Sequence, residues 1–256
     1  MTGAVLDHLA IGTGALTDGW DLFGGILGGT WAYGGDSPGF RWGQLEFGAG
    51  PKIELITPTG GPDAAFLERF LATRGAGPHH FNFLVPDIGA TLSRIRALGI
   101  EPVQVNLASA IWKEAFLHPR SAYGIVIQVA QADGPPPSPA APAEFPQPGP
   151  PAAFDLIEHH VTDLHGATRL FEEALDGQVA GRADTADGPA VEVSWPGGRR
   201  LRLVQPSSAG RDDGLPLGGA LHRIRFTRAG AFGAAEAARA ELLSQRLGLS
   251  VELASH

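Results

Sequence analysis

The sequence predicts an α+β fold built from repeated βαβββ units, with one complete domain first and a second, degenerate copy behind it. Three observations support this prediction. The first 132 of the 256 residues alternate short apolar strands and helices in the order βαβββ, twice. Polar side chains occupy corresponding positions in the two units. After a proline-rich stretch, residues 154–256 follow the same pattern in shortened form.

The first unit is predicted between residues 5 and 57. Val5–Ile11 is a short apolar strand, and Thr17–Leu27 (TDGWDLFGGIL) is a helix with a threonine cap at its start. Three more strands follow, separated by Gly and Pro turns, at Gly29–Tyr33, Phe40–Phe47 and Lys52–Thr57.

The second unit repeats this order between residues 79 and 129. His79–Val85 is its first strand, and Ile88–Leu98 is its helix, with apolar residues at 88, 92, 95 and 98. Three short strands complete the unit, near Pro102–Asn106, Ala110–Phe116 and Gly124–Val129.

The domain boundary is predicted at the proline-rich stretch Gly134–Ala153, GPPPSPAAPAEFPQPGPPAA. Such a segment lacks backbone donors and favours polyproline II, so we expect an exposed, semi-rigid spacer. The predicted organisation is a complete domain over residues 1–132, a linker over 133–153 and a shortened copy over 154–256.

Composition limits the classes of function. Hydrophobic residues make up 43% and charged residues 18%, which is typical of a globular chain. The formal net charge of −8 argues against a nucleic-acid partner, because such proteins need a basic surface. No apolar run is long enough to span a membrane, no export signal is visible, and cysteine is absent. We therefore expect a cytoplasmic protein.

Four polar residues occupy matching positions of the two units. His8 lies on the first strand of unit one and Glu54 on its last strand, 46 residues later. His80 and Gln128 occupy the same two positions of unit two, 48 residues apart. Each residue alone is compatible with an ordinary strand position. Their joint occurrence in corresponding positions indicates a site.

Gln128 is the polar interruption of an apolar strand, GIVIQVAQ, between Ile125–Ile127 and Val129. A strand of this composition is typically buried on both faces, so its amide needs a hydrogen-bonding or metal partner. Imidazole, carboxylate and amide oxygen together suit a divalent ion. Four protein ligands leave two positions open for a substrate, and the ion then acts as a Lewis acid that stabilises an enolate.

The motifs LDHLAIGT, KIELITP, GPHHFNFLVPDI and EAFLHPRSAYGIVIQVAQ, in this order, resemble the vicinal oxygen chelate superfamily of glyoxalases, bleomycin resistance proteins and extradiol dioxygenases. Within it they are most similar to the methylmalonyl-CoA epimerase branch, over residues 5–131. The resemblance implies paired βαβββ units that form a cupped mixed sheet. It also implies one divalent ion (Zn, Co, Ni, Mn or Fe) with four protein ligands: His8, Glu54, His80 and Gln128. His79 would point to the opposite face and pack.

Two departures from that branch concern the proton-transfer groups. Gln128 stands where the branch usually has glutamate, and Gln44 stands where it carries a proposed acid/base glutamate. An amide takes no proton at neutral pH, so another base is needed. Our candidates, in order, are Glu54, Glu46 and Glu114. Gln44 and Trp112 are expected to contact the substrate.

The second half has the same spacing between its first strand and its first helix, but two of the ligand positions hold other residues. Leu170 follows Leu156 by 14 residues, as Leu22 follows His8, so Leu156 takes the His8 position. The Glu54 position becomes Arg202. We therefore expect no metal in this half, which would cover the first sheet or form a homodimer. His222 remains on the strand ALHRIRF, which aligns with HHFNF of the first half. The adjacent pair His159 and His160 is left open as a site.

The leading functional hypothesis is a metal-dependent isomerase or lyase of the glyoxalase or epimerase type, acting on a small carbonyl or thioester substrate. One alternative is a non-heme iron(II) dioxygenase, because two histidines and one carboxylate form its usual ligand set. Another is a non-catalytic protein that binds a small, antibiotic-like molecule.

Overall fold

The computed structural model describes residues 3–134, 139–207 and 216–255. The strands of the first half are β1 (Val5–Gly12), β2 (Thr30–Ser37), β3 (Phe40–Glu46), β4 (Lys52–Pro58), β5 (Gly77–Leu84), β6 (Val103–Asn106), β7 (Trp112–Leu117) and β8 (Val126–Ala132). They form one mixed sheet in the order β2-β3-β4-β1-β5-β8-β7-β6. The sheet consists of two four-stranded groups, β2-β3-β4-β1 and β5-β8-β7-β6. In each group the first strand along the chain pairs with the last, as the repeated pattern predicts.

The second half forms a smaller mixed sheet. Its strands are β9 (Ala153–Val161), β10 (Gln178–Thr185), β11 (Gly188–Trp195), β12 (Arg199–Val204), β13 (Gly219–Arg228) and β14 (Val251–Ser255). They lie in the order β10-β11-β12-β9-β13-β14. Among the described residues this sheet has no counterparts of β6 and β7, which agrees with a shortened second copy.

In the described ranges, the α-helices are α1 (Thr17–Trp20, continued as a π-helix over Asp21–Ile26), α2 (Ala65–Arg74), α3 (Ile88–Ala97), α4 (Leu164–Arg169, continued as a π-helix over Leu170–Ala174) and α5 (Ala234–Arg246). Four of them each follow the first strand of a βαβββ-type unit, and α2 lies between β4 and β5. Asp87 caps α3 by accepting a hydrogen bond from the Ala90 amide. None of the helices in the described ranges is long and apolar enough to cross a membrane.

Strand register relates the two halves directly. In the first half, β1 and β4 are parallel and Ala10 lies opposite Glu54. In the second half, β9 and β12 are parallel and Glu158 lies opposite Arg202. The offset between partners is the same in both pairs, so Arg202 occupies the Glu54 position and Leu156 the His8 position. The register expected from helix spacing is therefore the observed one.

The chain divides into two compact units, each taking segments from both halves of the sequence. In one unit (described residues 3–7, 80–134, 156–207 and 216–222), the core includes Phe83, whose ring lies 6.0 Å from that of Phe171 and 5.3 Å from that of Trp195. The Phe81 ring meets His159 at 5.7 Å.

In the other unit (described residues 8–79, 139–155 and 223–255), aromatic rings also form the core. Phe154 stacks on Phe226 at 4.7 Å, and Phe47 meets Phe226 edge-on at 4.9 Å. At the surface of this unit, Arg239 of α5 donates to Asp21 at 2.9 Å.

The domain boundaries inferred from the sequence remain a prediction.

Two details of the first half differ from the sequence prediction. Thr17 is the first residue of α1 rather than its cap, and the Asp18 carboxylate instead accepts from the Ala15 amide and the Thr13 hydroxyl, both at 2.9 Å. Helix α2 was not predicted. Its apolar periodicity is faint because only Leu67 of its ten residues is fully buried.

Where it is described, the proline-rich segment is mostly exposed, as expected, but it also contacts its own unit at several points. Residues 135–138 of that segment lie outside the described ranges. Phe145 inserts its ring against Trp20 at 5.5 Å and Trp31 at 5.8 Å. The Gly149 and Ala152 amides donate to backbone carbonyls of the α1 region at 3.1 and 3.0 Å. The predicted spacer is therefore partly an integral strap of its own unit.

Candidate metal centre

Two groups of ligand-capable side chains occur in the described part of the chain. The first consists of His8, Glu54 and His80, whose ligand atoms lie within 4.8 Å of one another and which are all buried. The second consists of Glu158, His160, Asp187 and His222, within the same distance limit. The first group contains three of the four ligands predicted from the sequence.

His8 and Glu54 are polar residues in otherwise apolar strands. From Leu6 to Gly12 every residue of β1 is buried, and so are the five central residues of β4. His8 is 3% exposed and Glu54 is 7% exposed. The Nε2 atom of His8 lies 3.6 Å from Oε2 of Glu54. Burying an imidazole beside a carboxylate is costly unless a partner compensates the charge, and a cation satisfies both groups.

Gln44 completes this part of the site from the neighbouring strand. It lies opposite Glu54 in the antiparallel β3–β4 pair. Its Nε2 donates to Glu54 Oε2 at 2.6 Å and lies 3.3 Å from His8 Nδ1. The amide therefore orients a ligand carboxylate, a role that sequence reasoning did not assign. Substrate contact by Gln44 remains a prediction.

Gln128 and its neighbours form a second polar cluster, on β5, β7 and β8. Gln128 lies opposite Asn82, which is fully buried. Asn82 Nδ2 donates to Gln128 Oε1 at 2.8 Å, and Gln128 Nε2 donates to Glu114 Oε2 at 2.8 Å. Trp112 Nε1 donates to the same carboxylate oxygen at 2.9 Å. The Gln128 amide is thus held with a defined orientation, and its role as a metal ligand remains a prediction.

Asn82 is the residue of this cluster that the sequence reasoning missed. A signal was present, because Asn82 is the polar interruption of the FNF sequence two residues after His80, hence on the same strand face. Its Oδ1 atom is buried and makes no hydrogen bond to any described residue.

The three candidate bases differ in their surroundings. Glu54 is buried within the ligand group. Glu114 is half-buried and its Oε2 accepts two hydrogen bonds. Glu46 is exposed at the end of β3, two residues beyond Gln44.

His79 has the packing role that the resemblance implied. Its ring contacts Phe70 at 4.9 Å and Phe66 at 5.8 Å. Burial, with a smaller contribution from the charge of Arg74, lowers the pKa of His79 to about 4. The side chain is therefore neutral near pH 7.

The residues of the first group fit a divalent metal ion. Two imidazoles and one carboxylate are ligands for Zn, Co, Ni, Mn or Fe. Gln44 supplies the type of outer hydrogen bond that commonly fixes a ligand carboxylate.

Comparisons with known proteins agree with this fold. Residues 7–116 match the family model described as the glyoxalase/bleomycin resistance protein/dioxygenase superfamily. A triple variant of 4-hydroxymandelate synthase from Streptomyces coelicolor superposes with a TM-score of 0.61, covering 96% of this chain and 76% of that one at 15% identity. At this identity the similarity shows the fold alone.

Two shorter solved structures also match. A hypothetical protein from Bacillus halodurans is 28% identical, covering 53% of this chain and 99% of its own, with a TM-score of 0.45. Methylmalonyl-CoA epimerase from Mycobacterium tuberculosis is 24% identical, covering 50% of this chain and 88% of its own, with a TM-score of 0.45. No curated protein matches the chain.

Proposed function

Because residues 7–116 match the family model of the glyoxalase/bleomycin resistance protein/dioxygenase superfamily, we propose that the chain is a metal-dependent isomerase or lyase acting beside a carbonyl or thioester group. The observation that carries this proposal is the buried group of His8, Glu54 and His80. Gln128 is the proposed fourth ligand through Oε1, since a carbonyl oxygen that accepts one hydrogen bond from Asn82 retains a second lone pair.

The proposed chemistry is proton removal next to a carbonyl. A divalent ion in this site supplies Lewis acidity, which stabilises the negative charge that develops on the substrate oxygen. Glu54 is the proposed base. Gln44 fixes its Oε2, so that one carboxylate oxygen is oriented by an amide and the other is available for a proton. Apolar neighbours on β1 and β4 exclude water from the carboxylate.

Solvent deuterium exchange tests this assignment. Metal-loaded protein in D₂O is given acyl-CoA thioesters and hemithioacetals with an acidic α-hydrogen, and α-deuteration is followed by NMR. Glu54→Gln should keep metal, because an amide oxygen still coordinates, yet slow exchange by roughly a hundred- to ten-thousand-fold. Glu46→Gln is the matched control and should exchange like wild type.

Two results would contradict the base assignment. Exchange at the wild-type rate in Glu54→Gln would leave Glu54 as a ligand only, and loss of exchange in Glu114→Gln instead would transfer the role to β7. No exchange with any substrate of these classes by metal-loaded wild type would overturn the isomerase or lyase proposal.

A second candidate function rests on the composition of the same group. Two histidines and one carboxylate are the ligand set of non-heme iron(II) oxygenases. This candidate predicts that iron(II)-loaded protein consumes oxygen with a suitable organic substrate, whereas zinc-loaded protein does not. Deuterium exchange without oxygen uptake favours the isomerase or lyase.

A further inference from the structure

The second ligand-capable group lies in the second half of the sequence, entirely within one of the two compact units. Glu158 and His160 are two residues apart on β9 and therefore share a face. Asp187 lies in the turn between β10 and β11, and His222 lies on β13. One ligand atom of each residue lies within 4.8 Å of the others.

One carboxylate oxygen of Glu158 faces both imidazoles. Its Oε1 is 3.5 Å from His160 Nε2 and 3.9 Å from His222 Nε2. The two imidazole rings are stacked, with centroids 4.0 Å apart and planes at 10°. One oxygen and two nitrogen ligand atoms therefore lie close together, and the two rings would have to rotate out of the stacked arrangement for their in-plane lone pairs to reach one ion.

Arg202 contacts Glu158 on the side away from the histidines and contributes to the orientation of its carboxylate. Its Nη1 lies 3.6 Å from the other oxygen of Glu158, Oε2, and its Nη2 lies 3.2 Å from Glu192. The guanidinium is thus shared between two carboxylates. It contacts Glu158 at Oε2, while Oε1 faces the two histidines.

His160 differs from its neighbour His159. His159 is fully buried, contacts the Tyr123 carbonyl oxygen through Nε2 at 2.6 Å, and its pKa falls to about 4 because of burial. His160 Nε2 is buried too, but it makes no hydrogen bond to any described residue. A buried ring nitrogen without a hydrogen bond is costly, and coordination removes that cost.

We propose that Glu158, His160, Asp187 and His222 bind a second divalent transition-metal ion. Two imidazoles and two carboxylates suit an ion of zinc type. Glu158 and His160 are not the repeat's counterparts of His8 and Glu54, because Leu156 and Arg202 occupy those positions. Asp187 and His222 are exposed, so the ion is reachable from solvent and joins the β10–β11 turn to the sheet.

The test uses the full chain, loaded with Zn²⁺, dialysed and analysed for bound metal, with affinity measured by calorimetry. Wild type should hold two ions. His222→Ala and Asp187→Asn, both at exposed positions, should weaken one of them by at least about tenfold. His165→Ala, which removes an exposed imidazole from α4, should change neither ion.

Each outcome decides the proposal. Retention of both ions at wild-type affinity in His222→Ala and Asp187→Asn would overturn it, as would wild type that binds a single ion lost only on His8→Ala. Circular dichroism verifies folding of each variant. Because the proposed enzyme activity belongs to the first site, His222→Ala should retain deuterium exchange. Failure of the second metal site and failure of the proposed enzyme activity are therefore distinguishable.

Discussion

On the last strand of each unit, the proposed metal ligand forms a hydrogen bond between a carboxamide and a carboxylate. On β3–β4 the carboxylate is Glu54 and the amide is Gln44. On β7–β8 the amide is Gln128 and the carboxylate is Glu114. The two types of group have exchanged strands, and each pair has one donor and one acceptor. This matching keeps buried polar atoms satisfied.

The pairing predicts the effect of a charge added at position 128. Gln128→Glu should replace a hydrogen bond of 2.8 Å by two facing carboxylates and lower the free energy of unfolding of metal-free protein by roughly 1–3 kcal/mol at neutral pH. The double variant Gln128→Glu/Glu114→Gln restores one donor and one acceptor and should recover most of that loss. Urea unfolding measures both. Equal stability of the single variant and wild type would mean that the pair is absent.

For single residues, the sequence predicted which side chains lie together better than it predicted which hydrogen bonds they form. Corresponding strand positions identified His8, Glu54 and His80, because the repeat fixes which face each residue occupies. The hydrogen bonds of Gln44 and Asn82 depend on which strands are neighbours and in what register. A single sequence carries that information only weakly.

Among the elements, the proline-rich segment differs most from its prediction. Composition indicates an extended chain, and the prolines do prevent pairing in a sheet. Phe145 interrupts that composition and fills a position between two tryptophans. Close backbone approach adds to the docking, since a Cβ at Gly28 would meet the carbonyl oxygen of Pro150. One aromatic residue thus converts a spacer into a packed strap.

The docking predicts a stability effect of Phe145. Phe145→Ala should lower the free energy of unfolding by about 1–3 kcal/mol, less than a fully buried phenylalanine because this side chain is half-buried. It should also speed proteolytic cleavage within 142–152. Gln147→Ala, at an exposed position of the same segment, is the control and should behave like wild type. Equal cleavage of wild type and Phe145→Ala would show that the strap is not docked.

For the whole molecule, the repeat explains both the similarity and the difference of the two halves. The parallel pairs β1–β4 and β9–β12 have the same register, yet Leu156 and Arg202 stand at the positions of His8 and Glu54. The apolar pattern that determines the sheets has persisted while the polar positions changed. The repeated fold was therefore predictable from the sequence. The segments that make up each compact unit were not, because contacts between distant segments do not show in local patterns.

The metal content of two histidine variants tests the central claim most directly. Wild type, His8→Ala and His80→Ala are purified in parallel with His118→Ala, which removes an exposed imidazole outside both groups. We predict that His8→Ala and His80→Ala each lose one divalent ion per chain relative to wild type, with the fold intact by circular dichroism, whereas His118→Ala loses none. Full metal content in both His8→Ala and His80→Ala would contradict a metal centre at this site.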